Sequence, residues 1–398
     1  MNMDLNPLLF SAPPALTNRL PYRDRYHDVA ALQFLRAGDN TEDILNKSTH
    51  FDPNSPCSYL VQSFNIGPAL GRGSFGIVFA VECKLTGRKY AVKRSKEAFR
   101  SPLDRHFKMK ELRRFEHPPP HPNLLELHGA WQEDRYLYIQ SEFCVSTLGV
   151  FCKSPLFTKP VLYYCSLDVI TAVDHIHKSG LIHVDIKPEN VLVTSEGICK
   201  LADFGGTYIP QEDKDSWDDG DCRYLSHDLM NNCPTTMTDV FSLGMTLFEI
   251  ATQWILPKNG HQWNVLREGG FIESFLRTKC PEMAELVGAA VRHDPDTRAT
   301  TQQLLNAVRS LCYMHERPAI VWEYETPFIP LPADLCAPVV RGNNMKQRPL
   351  PPQEPVLATP PSTPPRGFET PDYFIVTPRA VQSERKPLRP IRLKFDDL

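Results

Sequence analysis

The 398-residue sequence predicts an α+β protein folded as two lobes, a small strand-rich one followed by a larger helical one. Three observations carry that expectation. Short β-branched and aromatic runs bounded by turn residues fill positions 63 to about 142. From about 160 onward the apolar residues recur with a helical period. Beyond 310, 88 positions hold 17 of the 37 prolines, too many for helix interiors or central strands.

Taken in order, residues 1–62 are expected to form a mostly flexible extension. Within it "YHDVAALQFLRA" predicts one short helix, and "HFDPNSPCS" reads as linker. Residues 63–310 form the folded unit. "FGIVFAVEC" and "KYAVKRS" read as two strands around the turn "KLTGR", where Gly87 supplies a permissive backbone. "YLYIQSEFC" is another strand. "VLYYCSLDVITAVDHIHKSG" places Leu162, Leu167, Ile170, Val173 and Ile176 on one helical face and ends at Gly180. "DVFSLGMTLFEIATQ" is apolar nearly all round, which predicts a buried central helix. Residues 311–398, with "RPLPPQEPVLATPPSTPPRGFETP", read as an extended, solvated tail.

Composition narrows the function. A net charge of −3 argues against nucleic-acid binding through bulk charge. Eleven cysteines without a C-x-x-C pair read as reduced thiols of an intracellular protein, Cys222 and Cys233 among them. The first twenty residues lack a basic segment followed by an apolar core, so they make a poor signal peptide. No run of about 18 apolar residues occurs, so the expectation is a soluble chain.

The chemistry lies in four short stretches. "LGRGSFGIVF" sets Gly71, Gly73 and Gly76 between two strands, followed by Val78. A dinucleotide site would need a helix after these glycines. A strand–loop–strand arrangement instead lets backbone fold over a triphosphate, while a plain tight hairpin is the bland alternative. Seventeen residues after Gly76, Lys93 in "YAVK" lies opposite that loop, suited to phosphate oxygens if a carboxylate holds it. Glu111 is the candidate carboxylate and Glu116 the competitor. "HVDIKPEN" then offers Asp185, Lys187 and Asn190, and Asp203 of "ADFG" follows eighteen residues after Asp185. Asp185 is placed to accept a hydroxyl proton, worth about 10²–10⁴-fold. Lys187 can steady the transferred group, while the Asn190 amide and the Asp203 carboxylate suit Mg²⁺ bound to phosphates.

This set, in this order, resembles a eukaryotic-type protein kinase over residues 63–310. The resemblance implies a bilobal eukaryotic protein kinase fold with ATP and Mg²⁺ as cofactors. It places ATP against Leu70, Gly71, Arg72, Gly73, Ser74, Phe75, Gly76 and Val78, and against Ala91, Lys93, Glu111, Ser141, Glu142 and Cys144. "KPEN" resembles the serine/threonine lineage. "AVKRSKEAFRSPLDRH", "HPNLLELHGAWQEDRYLYIQSEFC", "GDCRYLSHDLM" and "DVFSLGMTLFEIA" look like the Wee kinases, in particular their membrane-associated tyrosine- and threonine-specific branch. Trp131 and the small residue Ser141, ahead of Glu142–Phe143–Cys144, match that branch. The implied function is inhibition of the mitotic cyclin-dependent kinase by phosphorylation of adjacent Thr and Tyr in its glycine loop, blocking mitotic or meiotic entry. The alternatives are a binding protein that inhibits cyclin–kinase complexes through its tail, and a general serine/threonine kinase. Family resemblance implies a cytoplasmic protein, peripheral at ER or Golgi membranes, and leaves the nucleus open.

The sequence departs from the kinase pattern in three places. Ser226–His227–Asp228 replaces the usual A-P-E, and Asp228 is expected to pair with Arg298. The apolar membrane anchor carried by vertebrate members is not found in these residues. Val184 occupies the place where many kinases have an arginine that docks a phosphorylated loop, so activity is expected without such phosphorylation. In the tail, Thr359, Thr363, Thr370 and Thr377 each precede proline and read as sites for an upstream proline-directed kinase, either the target kinase or a MAP kinase. "RKPLRPIRLKF" holds five basic residues; a solvated basic tail is the bland reading, and resemblance to the family implies cyclin–kinase docking rather than contact with an anionic membrane.

Overall fold

A computed structural model describes residues 32–36, 51–52, 55, 57–73, 76–213, 217, 220–230, 232–268, 270–320 and 322. In the small lobe β1 is Gln33–Phe34, α1 Tyr59–Ser63, β2 Phe64–Arg72, β3 Gly76–Cys83 and β4 Lys89–Ser95. Helix α2 (Pro102–Glu116), β5 (Leu127–Glu133) and β6 (Tyr136–Glu142) complete it. The strands make one antiparallel sheet in the order β1-β5-β6-β4-β3-β2. The expected turn between β3 and β4 forms as read, with Gly87 at φ +67° and its N–H donating to the Cys83 carbonyl at 2.8 Å.

Alternation along the strands sends Phe79, Val81 and Val92 inward, each burial worth roughly 1.5–3 kcal/mol. They meet Trp131, whose ring stacks on Tyr138 at 5.0 Å and meets Tyr59 edge-on at 5.3 Å. The opposite face of the sheet receives Met109 and Leu112 of α2 against Ala130, Leu137 and Ile139. Helix α2 starts where Ser101 accepts the Asp104 N–H at 3.1 Å and proline occupies the first turn.

The stretch 26–37 does not form the predicted helix in its described part. Gln33 and Phe34 pair with Gln132 and Trp131, and the Leu35 N–H donates to the Ala130 carbonyl at 2.9 Å. Free edge groups on β5 and the burial of Phe34 beside Trp131 outweigh the local helical pattern. The described part of the expected extension is therefore built into the small lobe.

The large lobe contains β7 (Ser146–Thr147), α3 (Leu148–Phe151), α4 (Lys159–Lys178), β8 (Val191–Val193) and β9 (Cys199–Leu201). Helices α5 (Thr236–Thr252), α6 (His261–Val265), α7 (Phe271–Lys279), α8 (Pro281–Ala290) and α9 (Thr301–Tyr313) follow. Of the predicted α4 face, Leu162, Ile170, Val173 and Ile176 are buried and Leu167 is half-buried. Helix α5 is buried almost all round, as its composition requires, and starts in a Thr235–Thr238 capping box. The lobe extends past residue 310, where the tail was expected to begin. Arg317 donates to Asp168 of α4 at 3.0 Å, and Trp322 packs on Phe151 at 4.9 Å between ring centres.

Candidate active site

A cleft between the lobes is lined by Leu70, Gly71, Arg72, Gly73, Gly76, Val78 and Ala91 from above, and by Asp185, Asn190, Leu192 and Asp203 from below. Gly71 pairs with Val78 across the β2–β3 turn, and the Gly73 N–H donates to the Gly76 carbonyl at 2.9 Å. A Cβ on Gly76 would lie 2.2 Å from the Arg94 carbonyl oxygen, so only glycine fits there. A Cβ on Gly73 would meet nothing within 4 Å, which leaves open space under the turn. Ser74 and Phe75 lie outside the described residues.

Strand β4 carries Lys93 into the cleft opposite Val78. Its Nζ donates to Glu111 Oε1 at 2.5 Å and stands 3.7 Å from Asp203 Oδ1. Burial pulls the Lys93 pKa down, but Glu111 and then Asp203 outweigh it, and the net shift is upward. This geometry decides between the two candidate carboxylates. Glu116, five residues on, turns away and lies 3.8 Å from Arg36.

At the back of the cleft Ser141 is buried opposite Ala91. The Glu142 carboxylate accepts the Glu126 N–H at 2.7 Å and is 2.7 Å from Lys200, while Cys144 lines the cleft beside it. Burial raises the Cys144 thiol far above its ordinary value, which keeps it a neutral, apolar wall rather than a nucleophile.

The segment from Leu181 to Asn190 is fixed from beneath. Asp239, in the first turn of α5 and fully buried, accepts the N–H groups of His183 at 2.7 Å and Val184 at 2.8 Å. His177 Nε2 lies 2.9 Å from the same carboxylate. These bonds hold Val184 at φ +71°, a conformation that costs a β-branched residue about 1–3 kcal/mol. The strained valine aims the next residue upward. Asp185 Oδ2 accepts Lys187 Nζ at 2.5 Å and Asn190 Nδ2 at 2.8 Å, and Oδ1 accepts the Asp221 N–H at 3.1 Å. Gly220 has φ +71° and comes so close that a Cβ would lie 2.6 Å from the Val184 carbonyl.

Asp203 sits at φ 63°, with its Oδ1 buried and without a hydrogen-bond partner. Burial raises its pKa, but Lys93, His183 and Lys187 together hold it below the ordinary carboxylate value. Among the described residues no group of three or more His, Cys, Asp or Glu side chains could enclose a metal by itself. Asp203 Oδ1, with no hydrogen bond and the Lys93 ammonium 3.7 Å away, shares the cleft with Asn190 and suits a hard divalent cation that would draw its other ligands from nucleotide and water. Phe204 anchors this end by stacking on Phe115 of α2 at 5.3 Å.

The segment beyond Gly220 is held by Arg267, fully buried, which donates to the carbonyls of Cys222, Arg223, Leu225 and Trp263. Burial lowers its pKa to about 9. The expected Asp228–Arg298 pair forms with two bonds, 2.6 and 3.1 Å. Sequence reasoning missed Asp239 and Arg267. The acid in the first turn of an otherwise apolar helix was the available signal for Asp239, whereas Arg267 sits in a stretch with no pattern to mark it.

A glycine-roofed cleft joining a lysine–glutamate pair to two aspartates and an asparagine defines an ATP-dependent phosphotransferase using a divalent metal. The chain belongs to the protein kinase family, whose domain matches residues 64–308. It is 36% identical over 265 residues to the membrane-associated tyrosine- and threonine-specific cdc2-inhibitory kinase wee-1.3 of Caenorhabditis elegans, covering 65% of this chain and 39% of that one. It is 33% identical over 252 residues to the kinase of the same description from Drosophila melanogaster, covering 63% and 47%. To the mitosis inhibitor protein kinase wee1 of Schizosaccharomyces pombe it is 31% identical over 226 residues, covering 54% and 25%. The chain thus spans less than half the length of these three relatives.

Proposed function

We propose that this kinase inhibits a cyclin-dependent kinase by transferring phosphate to the adjacent threonine and tyrosine of that enzyme's glycine loop. The observation that carries the reading is the engaged Lys93–Glu111 pair above Asp185, Asn190 and Asp203 in a single cleft. The names of the relatives, cdc2-inhibitory and mitosis inhibitor kinases, supply the substrate class.

Each side chain has a role that its position supports. Lys93, held by Glu111, pairs with phosphate oxygens under the backbone of Gly71, Gly73 and Gly76. Ser141, Glu142 and Cys144 border the base, with Ala91, Val78 and Leu70 as its apolar neighbours. Asn190 and Asp203 would hold a divalent cation such as Mg²⁺, which when bound with ATP would neutralise charge on the phosphates. Asp185 accepts the proton of the substrate hydroxyl as that oxygen attacks, and Lys187 steadies the moving phosphoryl group. Because two of the three relatives are named membrane-associated, contact with a membrane surface also belongs to this proposal. Among the described residues no helix is long and apolar enough to cross a bilayer.

The test is to incubate a purified cyclin–kinase complex with this protein and Mg·ATP, then map the new phosphates. Phosphate on both the threonine and the tyrosine of the glycine loop is expected. Asp185→Asn should lower the rate by about 10²–10⁴-fold. Phosphate on serine and threonine elsewhere would instead favour a general kinase. If Asp185→Asn still arrested cells at full strength, the effect would come from binding rather than catalysis.

A further inference from the structure

Helix α2, which carries Glu111, is held from a second side. Lys110 and Arg114, one turn apart on the helix, converge on Asp213. Lys110 Nζ lies 2.6 Å from Asp213 Oδ1 and Arg114 Nη2 donates to Oδ2 at 2.5 Å. Oδ2 also accepts the Ile209 N–H at 2.9 Å, and the Glu212 carboxylate stands 3.3 Å from Arg114 Nη1. The Arg114 and Asp213 side chains are only 4% and 8% exposed, so water and salt screen this contact weakly. Asp213 lies ten residues after Asp203, in the segment leading to Gly220 and Asp221. That segment is where many kinases receive the activating phosphate, and Val184 cannot pair with a phosphate.

We propose that Asp213, with Lys110 and Arg114, is a permanent carboxylate in the place of an activating phosphate, holding α2 so that Glu111 meets Lys93. The three are positioning residues, since none lines the nucleotide cleft. A carboxylate carries less charge than a phosphate, about −1.5 to −2. Here two cations and near-complete burial compensate for that. The inference rests on the proposed function only in giving Glu111 and Lys93 their role toward Mg·ATP.

The experiment compares the full chain with Asp213→Asn, Glu111→Gln and the double variant. Asn keeps an acceptor for the Ile209 N–H while removing the charge. Without nucleotide, Asp213→Asn should speed amide exchange across residues 102–116 by about tenfold, leaving α4 and α5 unchanged. With Mg·ATP, each single variant should weaken binding by about tenfold and the double variant no further, because both act through the same helix. Phosphatase treatment of the unmodified chain should change neither readout. Exchange in Asp213→Asn equal to wild type, or raised in α4 and α5 as well, overturns the proposal. So does an additive hundredfold loss in the double variant, or a phosphatase effect as large as that of Asp213→Asn. Failure of the chain to phosphorylate a cyclin-dependent kinase would defeat the function above while leaving the exchange result to stand or fall on its own.

Discussion

Glu249, near the end of α5, receives the Tyr224 hydroxyl at 2.5 Å. Burial pushes its carboxyl up to about 7; the Tyr224 hydrogen bond opposes that push, Glu189 adds to it, and Arg223 and Lys153 oppose it. Between pH 4.5 and about 7 the native state therefore holds a proton that the unfolded chain has already released. Stability falls as pH rises through that window, by on the order of 3 kcal/mol at about 1.4 kcal/mol per unit, and the loss is complete above it. Glu249→Gln keeps an acceptor for Tyr224, so it should flatten this slope and leave the protein more stable than wild type at pH 8. Urea unfolding at pH 5 and pH 8 would check it, and an unchanged slope would place the titration elsewhere. At this scale the sequence was legible where spacing fixes placement, and Asp185, Asn190 and Asp203 do come together in one cleft. It was silent where the answer depended on helix rotation. Glu111 and Glu116 both fit the pattern, and only the seating of α2 against the sheet separates them.

Among the elements, interior strands of the small lobe and its edge strand β1 behave differently. β3, β4 and β6 were readable because alternation and turn residues are local properties. β1 was not, because the signal that makes it a strand lies on β5, about 98 residues away in sequence. Its consequences reach α2 from both ends. Gln132 receives Arg105 of α2 at 2.8 Å and donates to Gln33 at 2.9 Å, while Arg36 donates to the His128 carbonyl at 3.0 Å and approaches Glu116. Phe34→Ala should remove the aromatic contact with Tyr59 and Trp131 and destabilise the protein by about 3 kcal/mol, within the range for large core truncations. Thermal unfolding measures that directly. A loss below about 0.5 kcal/mol, ordinary for a surface substitution, would mean that β1 is not part of the folded lobe.

For the whole molecule, the order of the lobes followed from where helical periodicity replaces alternation, but the contacts that set the enzyme's state join distant segments. Arg114 and Asp213 are 99 positions apart, and neither residue is marked by any motif. Control from the tail, which we propose from composition, is the complementary case and concerns residues outside those described. Residues 341–398 carry ten Lys/Arg against six Asp/Glu, a net of +4. Phosphates on Thr359, Thr363, Thr370 and Thr377 would add roughly −6 to −8 and turn the segment acidic. If the basic tail helps to dock a cyclin–kinase complex, treating the full chain with a proline-directed kinase should raise KM for that complex several-fold. A short peptide, which needs no docking, should be phosphorylated as before. The effect should shrink between ~0.1 M and ~1 M salt, as the screening length falls from about 10 Å to about 3 Å. A variant with alanine at all four threonines should not respond. If it lost affinity to the same extent, the sites of control would lie elsewhere in the chain, and a loss against the short peptide would point to the cleft itself.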